Sequence, residues 1–388
     1  MKKSVWLVTV TVCLGQMLFA MANNAQGVLL SSFIDAFGLE SGMQGLPNAA
    51  ANAGVLVAML LAVPIASRTG KLPLYAAGLG LIALMLALAG IAPVAMLLIA
   101  AYLAMGFGFG CVDTTSSAII ADLHQGKRAS MLMGILHAVY GMGGILAPIV
   151  MTAAMAAGAS WRAVLGMLAA VIGVVFVLAV IVFMRERKHL PVSAAAPEKL
   201  TRADLSAFAK QPGNLLLVLS AGLYCAHQCS IYLWISRIIG VGYGNETLGA
   251  AALSLFWVGT VLSRLITPAT GITTVRYLRY GMLLTGVLLI AGVIIGGPVV
   301  ICVVAALAGL IGGAALPMTL TEINVRNPSR SMMAITTVLL TTAISAIICA
   351  PLIGFIVSRT ALIAGLVVSA IFAVASSLCT LAIREEKA

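Results

Sequence analysis

Asp113 is the one carboxylate well inside an apolar run; Asp122 and Glu322 stand at the ends of such runs, and the other acids fall in loops or tails. It precedes Asp122 by nine residues, so on a helix it lies about 13–14 Å from that charged end, near the middle of a membrane span. Desolvation at such a depth favours the neutral form of a carboxyl group, the property a proton carrier needs. The competing reading is a structural acid bonded to Thr114 or Ser116. His137 follows Arg128 by nine residues and reaches about the same depth, where an imidazole can exchange protons, bind a polar ligand, or simply be packed as core. Tyr224, His227, Gln228 and Tyr232 are spaced by three and four and share a helix face. Their hydroxyl, imidazole and amide groups both donate and accept hydrogen bonds, which matches an uncharged polyol or sugar; helix–helix hydrogen bonding is the alternative. Asn23 and Asn24 form a similar polar pair in the first apolar run. Arg264 lies about 25 Å along its helix from Thr247, near the far end of its run, and reads as a gating or structural charge that could pair with Glu322.

The elements that must carry these residues follow from composition. Of 388 residues, 62% are hydrophobic and 9% charged, against about 45–50% and about 25% in soluble domains, which excludes a water-soluble fold. At about 20 residues per crossing, the apolar runs near 5–33, 46–66, 72–91, 94–122, 129–158 and 160–184, then near 214–240, 247–267, 277–297, 298–321, 331–358 and 360–383, describe an all-α polytopic membrane protein with 12 transmembrane helices. The one long polar stretch, 185–213, is read as a cytoplasmic linker between two six-helix halves, 1–184 and 214–388. The net charge of +11 sits in short clusters, with no basic stripe interleaved with aromatics, so no nucleic-acid partner is expected. Of the 22 Lys and Arg, all but Arg162, Arg237, Arg264 and Arg359 fall on the side of the N-terminus. The positive-inside rule then puts both termini in the cytoplasm. Trp6, Trp161 and Trp234 fall near run ends and are expected as interface anchors. The seven cysteines lack disulfide or metal-knuckle spacing, and HExxH, G-x-S-x-G and paired intramembrane aspartates do not occur. No metal, cofactor or enzymatic chemistry is expected; the partners are a small solute, protons and the bilayer, and the chain is expected to be a monomer.

Sliding the chain on itself by about 204 residues superposes Pro64 on Pro268, Asn23-Asn24 on His227-Gln228 and, at 203, Ala147-Pro148 on Ala350-Pro351. This is the pattern of a duplicated six-helix unit. Gly106, Gly108 and Gly110 lack the strand context of a nucleotide loop and read as sites of close helix packing.

Two such parallel halves make the architecture of the major facilitator superfamily. The stretches FAMANNAQGVLLSSF (Phe19 to Phe33), GFGFGCVDTTSS (Gly106 to Ser117) and LSLFWVGTVLSR (Leu253 to Arg264), with Ser160-Trp161-Arg162 and Leu223-Tyr224, resemble its fucose:proton symporter branch. The resemblance implies proton coupling at Asp113 and solute contact at His137 and at Asn23-Asn24. The chain departs from that branch at Gly27 and Gln228, where relatives carry acids. The superfamily signature after the second helix survives only as Pro64 to Lys71, with Ser67 in place of the acid, and the antiporter pattern is only partly met by Gly143 to Thr152.

The resulting expectation is a secondary transporter of the bacterial inner membrane that imports a small polar solute, a sugar or sugar derivative, by proton symport and alternating access. Asp113 would be its proton site, and Asn23, Asn24, His137, Tyr224, His227 and Gln228 its solute ligands. Proton-driven efflux of drugs or metabolites is the rival within transport, and a membrane-embedded enzyme or sensor the rival outside it.

Overall fold

The computed structural model describes residues 2–40, 43–124, 126–186, 206, 208–211, 213–327 and 331–383. Among these residues there is no strand, and helices account for nearly all of the chain. In order they are α1 (Lys2–Phe37), α2 (Leu46–Thr69), α3 (Lys71–Gly90), α4 (Ala95–Leu123), α5 (Gly126–Ala156), α6 (Trp161–Glu186), α7 (Asn214–Gly240), α8 (Glu246–Ile266), α9 (Thr274–Ile295), α10 (Pro298–Arg326), α11 (Ser331–Arg359) and α12 (Ala364–Cys379). Ten are long and apolar enough to cross a membrane, and the apolar segments Leu46–Ala62 and Ala364–Cys379 are shorter. The twelve-span reading of the sequence is met. Most of the 185–213 stretch lies outside the described residues.

Local chemistry sets the helix limits. Asn245 accepts from the Leu248 amide and opens α8, Pro298 opens α10 where no amide partner is needed, and Gly296 and Gly297, both at positive φ, make the preceding turn. Pro64, Pro148 and Pro351 sit inside α2, α5 and α11, as membrane helices tolerate.

The chain divides into two compact units, Met1–Phe37 with Ala50–Glu198 and Gly38–Ala49 with Lys199–Ala388. In the first, α3 packs on α4 and α6, and α1 on α5 and α6; in the second, α10 packs on α8, and α12 on α7 and α9.

Each unit carries the same glycine crossing. A Cβ on Gly106 of α4 would collide with the Ala51 carbonyl oxygen of α2, and one on Gly54 with the Leu103 carbonyl. In the second unit, Gly309 of α10 faces the Phe256 carbonyl of α8 in the same way, and Gly259 faces that of Ala306. The offsets are 203–205 residues throughout, those of the sequence repeat. Only glycine permits backbones to approach this closely, so Gly106 and Gly110 are packing residues.

The seam between α7 and α12 is polar. Ser220 Oγ and Ser376 Oγ lie 2.9 Å apart and each donates to the other's carbonyl, while seven residues away His227 Nδ1 lies 2.9 Å from Ser369 Oγ. Trp234, expected at an interface, is instead fully buried in the second unit beside Gly354 and Gly365. The glycines leave a ring-sized space there that no window of composition displays.

Candidate functional site

In the first unit, the side chain of Asp113 is half-buried and accepts a hydrogen bond from Gln16 Nε2 on α1 at 2.9 Å. Ser116 donates to the Asp113 carbonyl, and Thr115 is bonded to the Cys111 carbonyl, so neither neighbour holds the carboxylate. Among the described residues no cation pairs with Asp113. Its one partner is a neutral amide, which can face either protonation state of the acid after an amide flip. Seven residues along the same face of α1, Asn23 Nδ2 donates to Tyr140 Oη on α5 at 3.1 Å. His137 is exposed and lies one turn before Tyr140. Asn24 is buried and donates to the Ala20 carbonyl of its own helix. Gln26 is 2% exposed and neither of its side-chain polar atoms has a hydrogen-bond partner among the described residues.

Gln16, Tyr140 and Gln26 were not selected by sequence reasoning. Gln16 carried a usable signal, an amide seven residues from Asn23 on an apolar helix. Tyr140 carried none, since tyrosine is ordinary at a membrane-helix surface.

The α7 stripe separates into parts in the second unit. His227 is buried against Ser369, which also donates to the His227 carbonyl. Tyr224 is 2% exposed and donates to the Gly313 carbonyl at 3.3 Å. Tyr232 accepts from Asn48 Nδ2 at 2.9 Å, within the same unit. Gln228 is half-buried, with its Nε2 buried and without a hydrogen-bond partner among the described residues.

Arg264 does not seek Glu322. Its Nε donates to the Gly313 carbonyl at 3.2 Å, whereas Glu322 Oε1 accepts from Arg326 Nε at 2.7 Å, one turn along the same helix. The reason is a break in α10. Between Gly312 and Ala315 the helix is interrupted, and buried backbone groups there need new partners. Tyr224 and Arg264 serve the Gly313 carbonyl, and Ser263 and Tyr277 bind the Ala314 amide at 3.1 and 3.0 Å. Four side chains from α7, α8 and α9 thus hold one interruption.

The degenerate signature after α2 also finds a substitute bond. With Ser67 where an acid was expected, Lys71 at the start of α3 pairs instead with Asp122 at the end of α4, Nζ to Oδ2 at 2.6 Å. Arg162 at the start of α6 donates to the Gly90 and Ala92 carbonyls at the end of α3 and lies over the Trp161 ring at 4.3 Å, a cation placed on a helix C-terminus.

Residues 12–298, most of the chain, match the model of the Major Facilitator Superfamily. The chain belongs to that superfamily. It is therefore a multi-pass membrane transporter rather than an enzyme. Solved superfamily structures share its fold at low identity. A bacterial homologue of the human lysosomal transporter Spinster has TM-score 0.74 at 16% identity, covering 100% of both chains. A peptide transporter has TM-score 0.79 at 14% identity, covering 97% of this chain and 94% of its own. The E. coli fucose:proton symporter FucP has TM-score 0.64 at 16% identity, covering 96% and 97%. No curated protein matches the chain in sequence.

Proposed function

We propose that this superfamily member is a proton symporter that imports a small polar solute, a sugar or sugar derivative, by alternating access across the bacterial inner membrane. The observation that carries the proposal is the bond from Gln16 to Asp113: an acid in mid-helix whose partner is a neutral amide rather than a cation. Among the described residues no cation competes with a proton for this carboxylate. Both termini would be cytoplasmic, with 185–213 as the cytoplasmic linker between halves 1–184 and 214–388, and the transporter would act as a monomer.

The residues proposed to meet the solute divide by their present bonds. Asn23, His137 and Gln228 have the exposure or the spare hydrogen-bonding atoms to do so, and Gln228 Nε2 is a buried donor that a solute hydroxyl would satisfy. Asn24, Tyr224 and His227 spend their polar atoms on the protein and would shape the site from behind. Arg264 is the structural charge of the α10 break. Amide and imidazole ligands, able both to donate and to accept hydrogen bonds, suit a polyol better than a lipophilic cation. A thermal-shift screen of purified protein against sugars, sugar acids, nucleosides and cationic drugs tests this. Stabilisation by sugars or sugar acids is expected, and stabilisation by lipophilic cations alone would overturn the solute class.

A further inference from the structure

Arg162, the second residue of α6, is held by its neighbours along one edge and one face and is open along the other edge. Its Nη1 donates to the Gly90 carbonyl at 3.0 Å and to the Ala92 carbonyl at 2.8 Å, where α3 ends. The guanidinium lies 4.3 Å from the centre of the Trp161 ring and 5.8 Å from that of Phe37. Trp161 is itself braced edge-on by Phe33 and Phe37. A guanidinium has five N–H groups. The two on Nη1 serve the carbonyls; among the described residues Nε and Nη2 have no hydrogen-bond partner, and no carboxylate pairs with the group. One N–H from each of these two nitrogens points along the same edge, the fork that grips a phosphate or carboxylate through two parallel bonds. The end of α3 offsets only about half a charge, so the fork stays cationic.

Beside the fork, between α3 and α6, is a crevice of about 610 Å³ lined by Ala87, Gly90, Ile91, Ala163 and Gly166, with Arg162 its one charged residue. Ala87, Ile91, Ala163 and Gly166 are exposed, and no atom lies within 4 Å of a Cβ built on Gly166. The 20 residues of α3 rise about 30 Å, the thickness of the hydrocarbon core. Its end and Arg162 therefore lie at the depth of lipid phosphates, and the crevice at the depth of acyl chains. The second unit lacks both features. At the repeat offsets of 203 to 205 residues, Gly90 falls on Val293, Ile294 or Ile295, and Arg162 on Gly365, Leu366 or Val367. Large apolar side chains replace the open floor and no cation marks the mouth, so the arrangement is not a by-product of the duplicated helix packing.

We propose that the crevice between α3 and α6 binds one anionic phospholipid, its phosphate on the Nε and Nη2 edge of Arg162 and an acyl chain along Gly90 and Gly166. Charge complementarity selects this occupant. An apolar groove alone would take any lipid tail, whereas an open cationic fork at its mouth, at phosphate depth, calls for an anion joined to an apolar chain. The bound lipid completes the hydrogen bonding of Arg162 and clamps the end of α3 to the start of α6. The site is independent of the transported solute and of Asp113.

Native mass spectrometry of the purified full chain in detergent tests this, with titrations of phosphatidylglycerol, of phosphatidylcholine with the same acyl chains, and of inorganic phosphate. The wild type should retain one phosphatidylglycerol more tightly than phosphatidylcholine, whose choline neutralises the phosphate, and inorganic phosphate should not displace it. Arg162→Gln should weaken retention by about tenfold. That variant also removes the cap on α3, so Gly166→Leu supplies an independent arm. It leaves Arg162 and its two carbonyl bonds in place and fills open space. It should weaken retention about fivefold, yet unfold no earlier than wild type in lipid-free detergent. Equal retention in wild type and both variants, equal retention of the two lipids, or displacement by inorganic phosphate alone would overturn the proposal.

Discussion

The glycine crossings yield a prediction whose sign reverses with position. At a helix surface with open space, Gly→Ala stabilises by about 1 kcal/mol through backbone entropy. Gly166, on α6, has no atom within 4 Å of the site of an added Cβ, so Gly166→Ala should gain about that much. At Gly106 the new carbon would overlap the backbone oxygen, carbonyl carbon and Cα of Ala51, and none of these can rotate aside. Over-packing of this kind costs about 1–3 kcal/mol or more, because α2 and α4 must separate and lose contacts along their shared seam. The two variants should therefore differ by about 2–4 kcal/mol in opposite senses. Gly309→Ala should reproduce the Gly106→Ala loss in the second unit, since the Phe256 carbonyl occupies the equivalent place. Thermal unfolding of the purified variants in one detergent measures this. If Gly106→Ala unfolded at the temperature of Gly166→Ala, the close crossing, and with it the structural basis of the repeat, would be refuted.

Three further outcomes follow from the site. His227→Ala should lower thermal stability by about 1–2 kcal/mol through loss of the Ser369 bonds and side-chain packing, with a smaller effect on solute affinity; Gln228→Ala should do the reverse, and thermal shift with and without solute separates the two. Asp122→Asn alone should cost about 2–3 kcal/mol by stranding the largely buried Lys71 charge, whereas Lys71→Met with Asp122→Leu should recover most of the loss in a thermal-unfolding cycle. Arg264→Lys should destabilise by about 1 kcal/mol or more, because an ammonium cannot reproduce the planar Nε donor that reaches the Gly313 carbonyl; hydrogen exchange around the α10 break should rise with it.

The spans were legible because twenty apolar residues between charges admit few other structures, although Pro64, whose place before a basic loop suggested the end of the second helix, sits inside α2. The place of Asp113 well inside α4 was legible for the same reason, since rise per residue converts spacing into distance. What holds Asp113 was not. Gln16 is 97 positions away, and whether two polar side chains on separate helices meet depends on helix rotation, which a near-uniform apolar surface does not record. The α7 stripe shows the same limit from the other side. Its spacing places four polar groups on one face, but whether such a face meets a solute or another helix depends on neighbours, and Ser369 and the Gly313 carbonyl decided the matter for His227 and Tyr224. Arg264 was placed correctly near a helix end, but its partner is a backbone carbonyl freed by the interruption at Gly313–Ala314, and the run of glycine and alanine there gives no sign of where the helix breaks.

Asp113→Asn tests the central claim most directly. In proteoliposomes the variant keeps an amide able to bond Gln16 but cannot carry a proton, so it should lose accumulation of a labelled solute driven by an inward pH gradient while retaining solute counterflow. Gradient-driven accumulation at the wild-type level would contradict the account.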